Sequence, residues 1–431
     1  TIYEYDRCGN LAGVIDAEGN KTFYEYDDFN RLIKKVDPNG NTTSYEYDDE
    51  DKLVRIIYSD NTTTEYEYDT HGNMISFRDK NGNITKYKYD LNDRLIEVID
   101  AANNITMYSY DANGNRVSFK DANGNETRYE YDNLNRLVRV VDPENKTIIY
   151  TYDKVGNLVS MIDGRNIQVV YTYDELNMLL SDRPVGQPGG VSYSYDLVGN
   201  CLTMTDSIGV WQYQYDESNR LVQIIDPRGV TISYTYDNVG NRTQMVITAS
   251  FISQPLVWSY TYYKNNWLKS VTDPDGQTTF YEYDKIGNRT KVIYPNGVVG
   301  EYTYSQDTYQ LKSIIWRNKY GDILQKFEYL EYDKVGNIKK MRDIIGEYEY
   351  TYDNLYQLTK VVYPKNRGYE EFVYDKVGNR IQYNTNIEGY TNKTYVYNKA
   401  NEMILDGGVR CGYDGNGNMV YRVPISYSYD Y

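Results

Sequence analysis

Side chains able to do chemistry are plentiful in this chain, but their spacing argues against a reactive centre. The only histidine, His71, sits in Thr70-His71-Gly72-Asn73 at a position that Cys8, Asn113 and Val155 fill in comparable segments. One histidine builds neither a catalytic triad nor a zinc site. Cys8, Cys201 and Cys411 are scattered, odd in number and free of any Cys-x-x-Cys, so no disulfide framework or metal site is expected. Acidic turns such as Asp48-Asp49-Glu50-Asp51 offer the oxygen ligands calcium prefers, yet they lack the nine-residue Gly-Gly-x-Gly-x-Asp pattern of calcium β-rolls. Among 62 Asp and Glu residues, close carboxylate pairs arise by number alone, which gives a glycosidase pair no support. The expectation is a non-enzymatic chain without cofactor or metal.

What recurs instead is the phrase Tyr-x-Tyr-Asp. It ends at Asp6, Asp27, Asp48, Asp69, Asp90, Asp111, Asp132, Asp153 and Asp174, always 21 residues apart. Looser copies continue to the end of the chain and account for about twenty units. Tyr24 and Tyr26, Tyr45 and Tyr47, Tyr129 and Tyr131, and Tyr150 and Tyr152 are representative pairs. Aromatic faces with phenol tips stack on sugars, so a glycan-binding surface is one reading of these rows. The competing reading is that the tyrosines form cross-strand ladders holding a sheet together.

A fixed period this short means that each unit is one supersecondary element stabilised by its neighbours. In the unit ending at Asp48, Arg31-Leu32-Ile33-Lys34-Lys35-Val36 and Thr42-Thr43-Ser44-Tyr45-Glu46-Tyr47 flank Asp37-Pro38-Asn39-Gly40-Asn41. Two β-rich runs around a Pro/Asn/Gly turn read as a hairpin. A second turn follows each Tyr-x-Tyr-Asp and comes in two forms. One carries Gly-Asn, as at Gly156-Asn157, Gly240-Asn241 and Gly287-Asn288; the other lacks glycine, as in Asn135-Arg136 and Asn219-Arg220. From Asp132 onward the forms alternate, so neighbouring hairpins are not equivalent. The period of two puts Tyr129 and Tyr131 on one face and Glu130 on the other, with Val138 and Val140 sharing a face and Arg139 opposite, between Leu137 and Val141.

The predicted fold is all-β: tandem hairpins of about 21 residues forming an antiparallel ribbon. Some forty strands at ~4.8 Å would run ~190 Å, and flat open sheets of that size are unusual. The ribbon is therefore expected to wind into a superhelix, each turn lying on the last and enclosing a lumen. Residues 1–431 read as a single repeat domain, highly regular over 1–242 and degenerate over 243–431, where insertions at 243–258 and 306–325 should hold the bends. Because both ends of the sequence fall inside repeats, a fragment of a longer protein is expected. The end segments Tyr3-Glu4-Tyr5 and Ile425–Tyr429 would then be open strand edges prone to end-to-end self-association.

Composition limits the partners. Fifty-three tyrosines against 8 phenylalanines and 4 tryptophans suit half-wet surfaces rather than an oily core. A net charge of −16 without any Lys/Arg cluster argues against nucleic acid and favours basic partners at long range. No run approaches the ~18 apolar residues of a membrane helix.

The segment Tyr150-Thr151-Tyr152-Asp153-Lys154-Val155-Gly156-Asn157-Leu158, repeated along nearly the whole chain, resembles the YD repeat of RHS proteins. That family includes bacterial polymorphic toxins, wall-associated proteins, shell subunits of insecticidal toxin complexes and teneurins. The resemblance implies a β-sheet spiral that forms a hollow shell around a C-terminal toxin or effector of the same polypeptide. It also implies a secreted or cell-surface bacterial location. The bacterial members' Asp-Pro-x-Gly-Leu signature has no counterpart, since Asp37-Pro38-Asn39-Gly40, Asp226-Pro227-Arg228-Gly229 and Asp273-Pro274-Asp275-Gly276 are not followed by leucine. Self-cleavage and toxin activity therefore cannot be assigned to any residue. The alternative function is an adhesin or carbohydrate-binding module that uses the tyrosine-rich faces.

Overall fold

The computed structural model describes residues 1–424, which form forty strands and no helix, from β1 (Ile2–Tyr5) to β40 (Met419–Pro424). Each strand pairs antiparallel with the next, so the chain is one meander; β2 (Leu11–Ile15), for example, pairs with β1 and with β3 (Lys21–Tyr26). All the turns that follow Tyr-x-Tyr-Asp lie along one long rim of this ribbon, the YD rim. The Asp-x-x-Gly-Asn type turns line the opposite rim.

The turns of the two rims are built alike, and the rims differ in the register beyond the turn. On the YD rim the aspartate carbonyl accepts the N–H three residues on, and its own N–H donates to the carbonyl four residues on, as between Asp153, Gly156 and Asn157. The fourth residue of each turn is left-handed: Gly156 has φ 105° and Asn135 φ 60°. Just beyond it the register slips by one residue, since Tyr129 faces Val140 and Glu130 faces Arg139, but Tyr131 faces Leu137. This bulge recurs at Tyr47/Leu53, Tyr152/Leu158 and Tyr236/Arg242. It corrects the simple alternation expected from sequence: the extra residue brings Leu137 opposite Tyr131, away from Arg139. A bulge bends and twists its strand, and repetition on one rim in one sense accumulates into a coil.

Coiling is visible as contact between distant turns. The Asp16–Glu18 turn, at the end of β2, meets Lys264 and Asn265 beyond β25 (Leu256–Tyr262). Asn81 meets Asp333, Asn123 meets Asp375 and Asp163 meets Asn416, at separations of 252 or 253 residues. One coil thus takes about twelve repeats. At ~4.8 Å per strand its circumference is ~110 Å and its width ~35 Å. The second coil presents its YD rim to the opposite rim of the first.

The expected bends are replaced by longer hairpins. Residues 243–258 extend the pair Arg242–Thr248 and Leu256–Tyr262, and residues 306–325 extend Leu311–Arg317 and Ile323–Tyr332. The ladder runs on through both. It thins to two residue pairs at Ser181/Asp182 with Ser192/Val191, inside the regular half, and again at Gln382/Tyr383 with Thr394/Lys393. At the first of these, Pro184 and Pro188 bracket a loop and cannot donate to a ladder. At the N-terminal end Tyr3 and Tyr5 are exposed on a strand paired on one side only; the segment Ile425–Tyr429 lies outside the described residues.

Candidate functional site: the YD rim and the coil seam

The functional surface is built from the motif residues themselves. Along the strand Glu126–Tyr131, Thr127, Tyr129 and Tyr131 are half-buried while Glu126, Arg128 and Glu130 are exposed. The exposed face carries cross-strand pairs such as Glu25 with Lys34, Lys88 with Glu97 and Glu130 with Arg139. Exposed ion pairs add little to stability; they keep one face of the ribbon wet.

The second tyrosine of the motif has a specific task. Neighbouring hairpins stop pairing before they reach the YD rim: the strand Leu137–Val141 joins the next one only through Arg139, Val140 and Val141. The phenol of Tyr152 crosses this gap and donates to the Leu137 carbonyl at 2.9 Å. Tyr26 does the same to Leu11 (3.0 Å), Tyr47 to Leu32 (2.8 Å) and Tyr131 to Arg116 (3.0 Å). Burial pushes the phenols of Tyr26, Tyr47, Tyr131 and Tyr152 above their ordinary pKa. The first tyrosines, Tyr24, Tyr45, Tyr129 and Tyr150, are half-buried on the same face. The phenols of the second tyrosines are in this way committed to backbone carbonyls.

The aspartates are turn organisers. Asp132 Oδ1 accepts the Leu134 and Arg136 N–H groups, and its Oδ2 accepts Arg136 Nε at 2.8 Å. Asp153 takes the N–H groups of Val155, Gly156 and Asn157 on Oδ1 and Asn157 Nδ2 on Oδ2. Asp27 and Asp48 hold Arg31 and Lys52 N–H groups in the same way. The Arg136 side-chain hydrogen bond holds Asp132 below the usual carboxylate range. At Asp153 burial opposes the charge, but the hydrogen bonds from Asn157 and Gly156 outweigh it and lower the pKa.

Alternation of turn forms is a relay between them. In Gly-Asn turns the asparagine amide donates to its own aspartate and also to the left-handed Asn or Asp of the next turn: Asn157 to Asn177, Asn115 to Asn135 and Asn241 to Asn266, each at 2.9 Å. In four turns of the other form an arginine, Arg31, Arg94, Arg136 or Arg220, reaches the carbonyl of the next aspartate, Arg136 to Asp153 at 2.9 Å and Arg94 to Asp111 at 2.8 Å. Glycine has no side chain to accept, so the donor addresses backbone; asparagine has one, so the donor addresses it. Arg136 also lies 4.8 Å over the Tyr152 ring. The alternation begins at Asp69, earlier than the sequence reading placed it; only the Asp27 and Asp48 turns, both lacking glycine, break it.

Two turns of the second coil leave the relay. Tyr309 and Tyr356 occupy the left-handed position, with φ 58° and 64°, and their phenols donate across the seam to Asp37 and Asp79. Asn288 and Asn337, one turn earlier, keep only the bonds to Asp284 and Asp333. Gly287 (φ 97°) is packed against the Trp267 ring. Burial, reinforced by the facing carboxylates, drives both phenols up, that of Tyr356 to about 12. Lys146 bridges to Glu402 (2.9 Å) and to the Asp414 carbonyl (3.1 Å). Gly164 and Gly415 approach so closely that a Cβ on either would collide with the other's backbone. A cleft of about 410 Å³ beside them is lined by Phe119, Lys146 and Glu402 among others. No group of three or more His, Cys, Asp or Glu suited to a metal occurs among the described residues. Of the residues singled out from sequence, the motif tyrosines, aspartates and Gly-Asn pairs line one rim. The seam residues went unnoticed, although a bulky tyrosine in a slot otherwise filled by Asn, Asp or Gly was a readable signal.

A family model described as the teneurin YD-shell matches residues 33–171, 79–209 and 144–329. The chain belongs to the YD-shell family. Solved structures share the fold. A TcdB2-TccC3-TEV crystal structure superimposes with TM-score 0.70 at 15% identity over 97% of this chain. A TcdB2-TccC3-Cdc42 crystal structure gives 0.63 at 15% over 93%, and the Photorhabdus luminescens Tc holotoxin pore gives 0.61 at 16% over 97%. This YD-shell chain spans about a quarter of the length of those chains, 26% or 27%. A search of curated protein sequences found no match.

Proposed function

We propose that this YD-shell segment is a non-enzymatic wall element of a secreted or surface-displayed bacterial protein, enclosing a toxin or effector carried by the same polypeptide and helping to deliver it. The observation that carries the reading is the seam: repeats about 250 residues apart are joined by directed bonds, so the ribbon closes into a wall whose backbone is ~35 Å across. Toxin complexes with this fold lend it support. The wall is structural because the chemistry its repeats share, phenol to carbonyl and carboxylate to turn amide, is spent within the wall itself.

A protease-labile, unstructured reporter peptide joined to the C-terminus tests this. Enclosure predicts that cleavage is slower in the intact coil than in a variant whose seam is opened by Gly164→Trp, with secondary structure unchanged. Equal cleavage rates would refute the reading.

A further inference from the structure

Three asparagine amides donate to a carboxylate across the seam at 3.0 Å or less: Asn81 to Asp333 (3.0 Å), Asn123 to Asp375 (2.9 Å) and Asn416 to Asp163 (2.7 Å). The first two reach from the first coil to the second, and the third reaches back. Each of these asparagines is followed by glycine, namely Gly82, Gly124 and Gly417. The turn requires the glycine, which takes φ 89°, 88° and 82° at the three positions. In the same dipeptide an asparagine side chain is most open to attack by its own backbone, because the residue that supplies the nitrogen has no Cβ to shield it.

In that reaction the Gly82 nitrogen attacks Asn81 Cγ: a C–N bond forms, the Cγ–Nδ2 bond breaks, and Nδ2 leaves as ammonia with the proton of the Gly82 amide. Water then opens the five-membered imide at either carbonyl and leaves aspartate or isoaspartate. All three asparagines and their glycines are exposed, so water has access. The product turns a cross-coil donor into a carboxylate that faces a carboxylate, and like charges repel. Bonds inside each coil survive: Asp333 keeps Asn337, Asp375 keeps Asn379 and Asp163 keeps Arg165. The change therefore strikes the seam and spares the hairpins.

We propose that Asn81, Asn123 and Asn416 are deamidation sites through which the seam loosens irreversibly. Closure holds the reaction back. The attacking N–H groups of Gly82, Gly124 and Gly417 are donated to the carbonyls of Asp79, Asp121 and Asp414 at 2.9, 2.9 and 3.2 Å. Each asparagine amide is also held by the facing carboxylate. Attack needs the nitrogen to leave its carbonyl and the side chain to swing back over it, and the closed seam resists the second movement. Each conversion weakens closure and so quickens the others. Asn113 is the internal reference: Gly114 makes the same turn bond to Asp111 (3.2 Å), and among the described residues nothing on the other coil holds the Asn113 amide. The step does not depend on what the coil encloses.

Incubation of the 431-residue chain in mildly alkaline buffer provides the test, with peptide mapping of each asparagine and small-angle scattering on the same samples. In the wild type the three seam asparagines should convert several-fold more slowly than Asn113. The radius of gyration should rise with their conversion and not with that of Asn113. In Gly164→Trp, once scattering has confirmed its open seam, they should convert as fast as Asn113. A variant carrying Asn81→Asp, Asn123→Asp and Asn416→Asp, the aspartate product, should show the larger radius from the start with an unchanged circular dichroism spectrum, whereas Asn113→Asp should match the wild type. A triple variant with the wild-type radius overturns the proposal. So do seam asparagines that convert no faster in the opened variant, or that stay intact in the wild type after Asn113 has fully converted.

Discussion

Replacing Tyr152 by phenylalanine removes one oxygen atom and leaves the ring in place under Arg136. What is lost is the bond to the Leu137 carbonyl at 2.9 Å. That carbonyl stands where the bulge has already taken Leu137 out of regular register, and the ladder to the next strand begins only at Arg139. A neutral hydrogen bond contributes about 1 kcal/mol net, and a half-buried acceptor left unpaired raises the cost toward ~2 kcal/mol. Tyr150 is the matched control: it is half-buried on the same strand and face, and its phenol has no hydrogen-bond partner among the described residues, so Tyr150→Phe should cost within ~0.5 kcal/mol. Native-state hydrogen exchange read by mass spectrometry on peptides spanning 132–158 is the assay. Exchange should quicken about 5- to 30-fold for Tyr152→Phe, with the change confined to adjacent repeats because a repeat array loses stability locally. Equal responses from the two variants would refute the assigned role of the phenol. A uniform loss of protection along the chain would refute the one-dimensional picture.

Gly156→Val should cost ~1 kcal/mol or more in a denaturant titration monitored near that turn. Gly156 has φ 105° with open space around it, so the cost is backbone strain alone. Gly164→Ala should leave its own hairpin intact by hydrogen exchange yet separate the coils, seen as a larger radius of gyration in small-angle scattering, because the added carbon meets Gly415. Alkaline pH should open the seam through Tyr356. Its folded pKa is raised to about 12, so its contribution is complete below the ordinary ~10 and disappears as pH rises through about 12, a window that scattering against pH can follow. Acid should act through Asp163. Burial there opposes charge, but bonds from Arg165 and Asn416 hold its pKa at about 2, so its contribution is complete above ~4 and lost as pH falls through about 2.

The hairpin, the two turns and the coiling were legible because each rests on local rules: period-two alternation, left-handed Gly or Asn, and sheet twist. The role of Tyr26, Tyr47, Tyr131 and Tyr152 was not, because it depends on a gap between hairpins that opens only once the bulge has shifted Leu11, Leu32 or Leu137. A one-residue slip leaves no mark in a 21-residue spacing. The alternating turn forms were visible as letters, but their meaning required the side chain of one turn to lie beside the fourth residue of the next. The seam pairs Asp37 with Tyr309 and Asp79 with Tyr356, which lie 272 and 277 residues apart, and no local pattern links such positions.

Those two tyrosines show how a repetitive ribbon can specify where one coil sits on another. A left-handed conformation costs a bulky residue on the order of 1–3 kcal/mol, and at Tyr309 and Tyr356 the lateral bond from the preceding asparagine is also forgone. Both losses are set against bonds to Asp37 and Asp79, which exist only if the coils are correctly registered. The repeat favours asparagine at this position; the seam favours tyrosine. Tyr356→Asn should therefore separate the two effects. It restores an acceptor for the Asn337 amide and relieves the backbone, so exchange in the turn around Asp353 should slow. It also removes the phenol from Asp79 and Asn83, so a crosslink between cysteines placed at Asn81 and Lys334, whose side-chain oxygen and amide now meet at 3.0 Å, should form more slowly. If local protection and crosslinking rise or fall together, the tyrosine serves its own turn and the seam register must be set elsewhere.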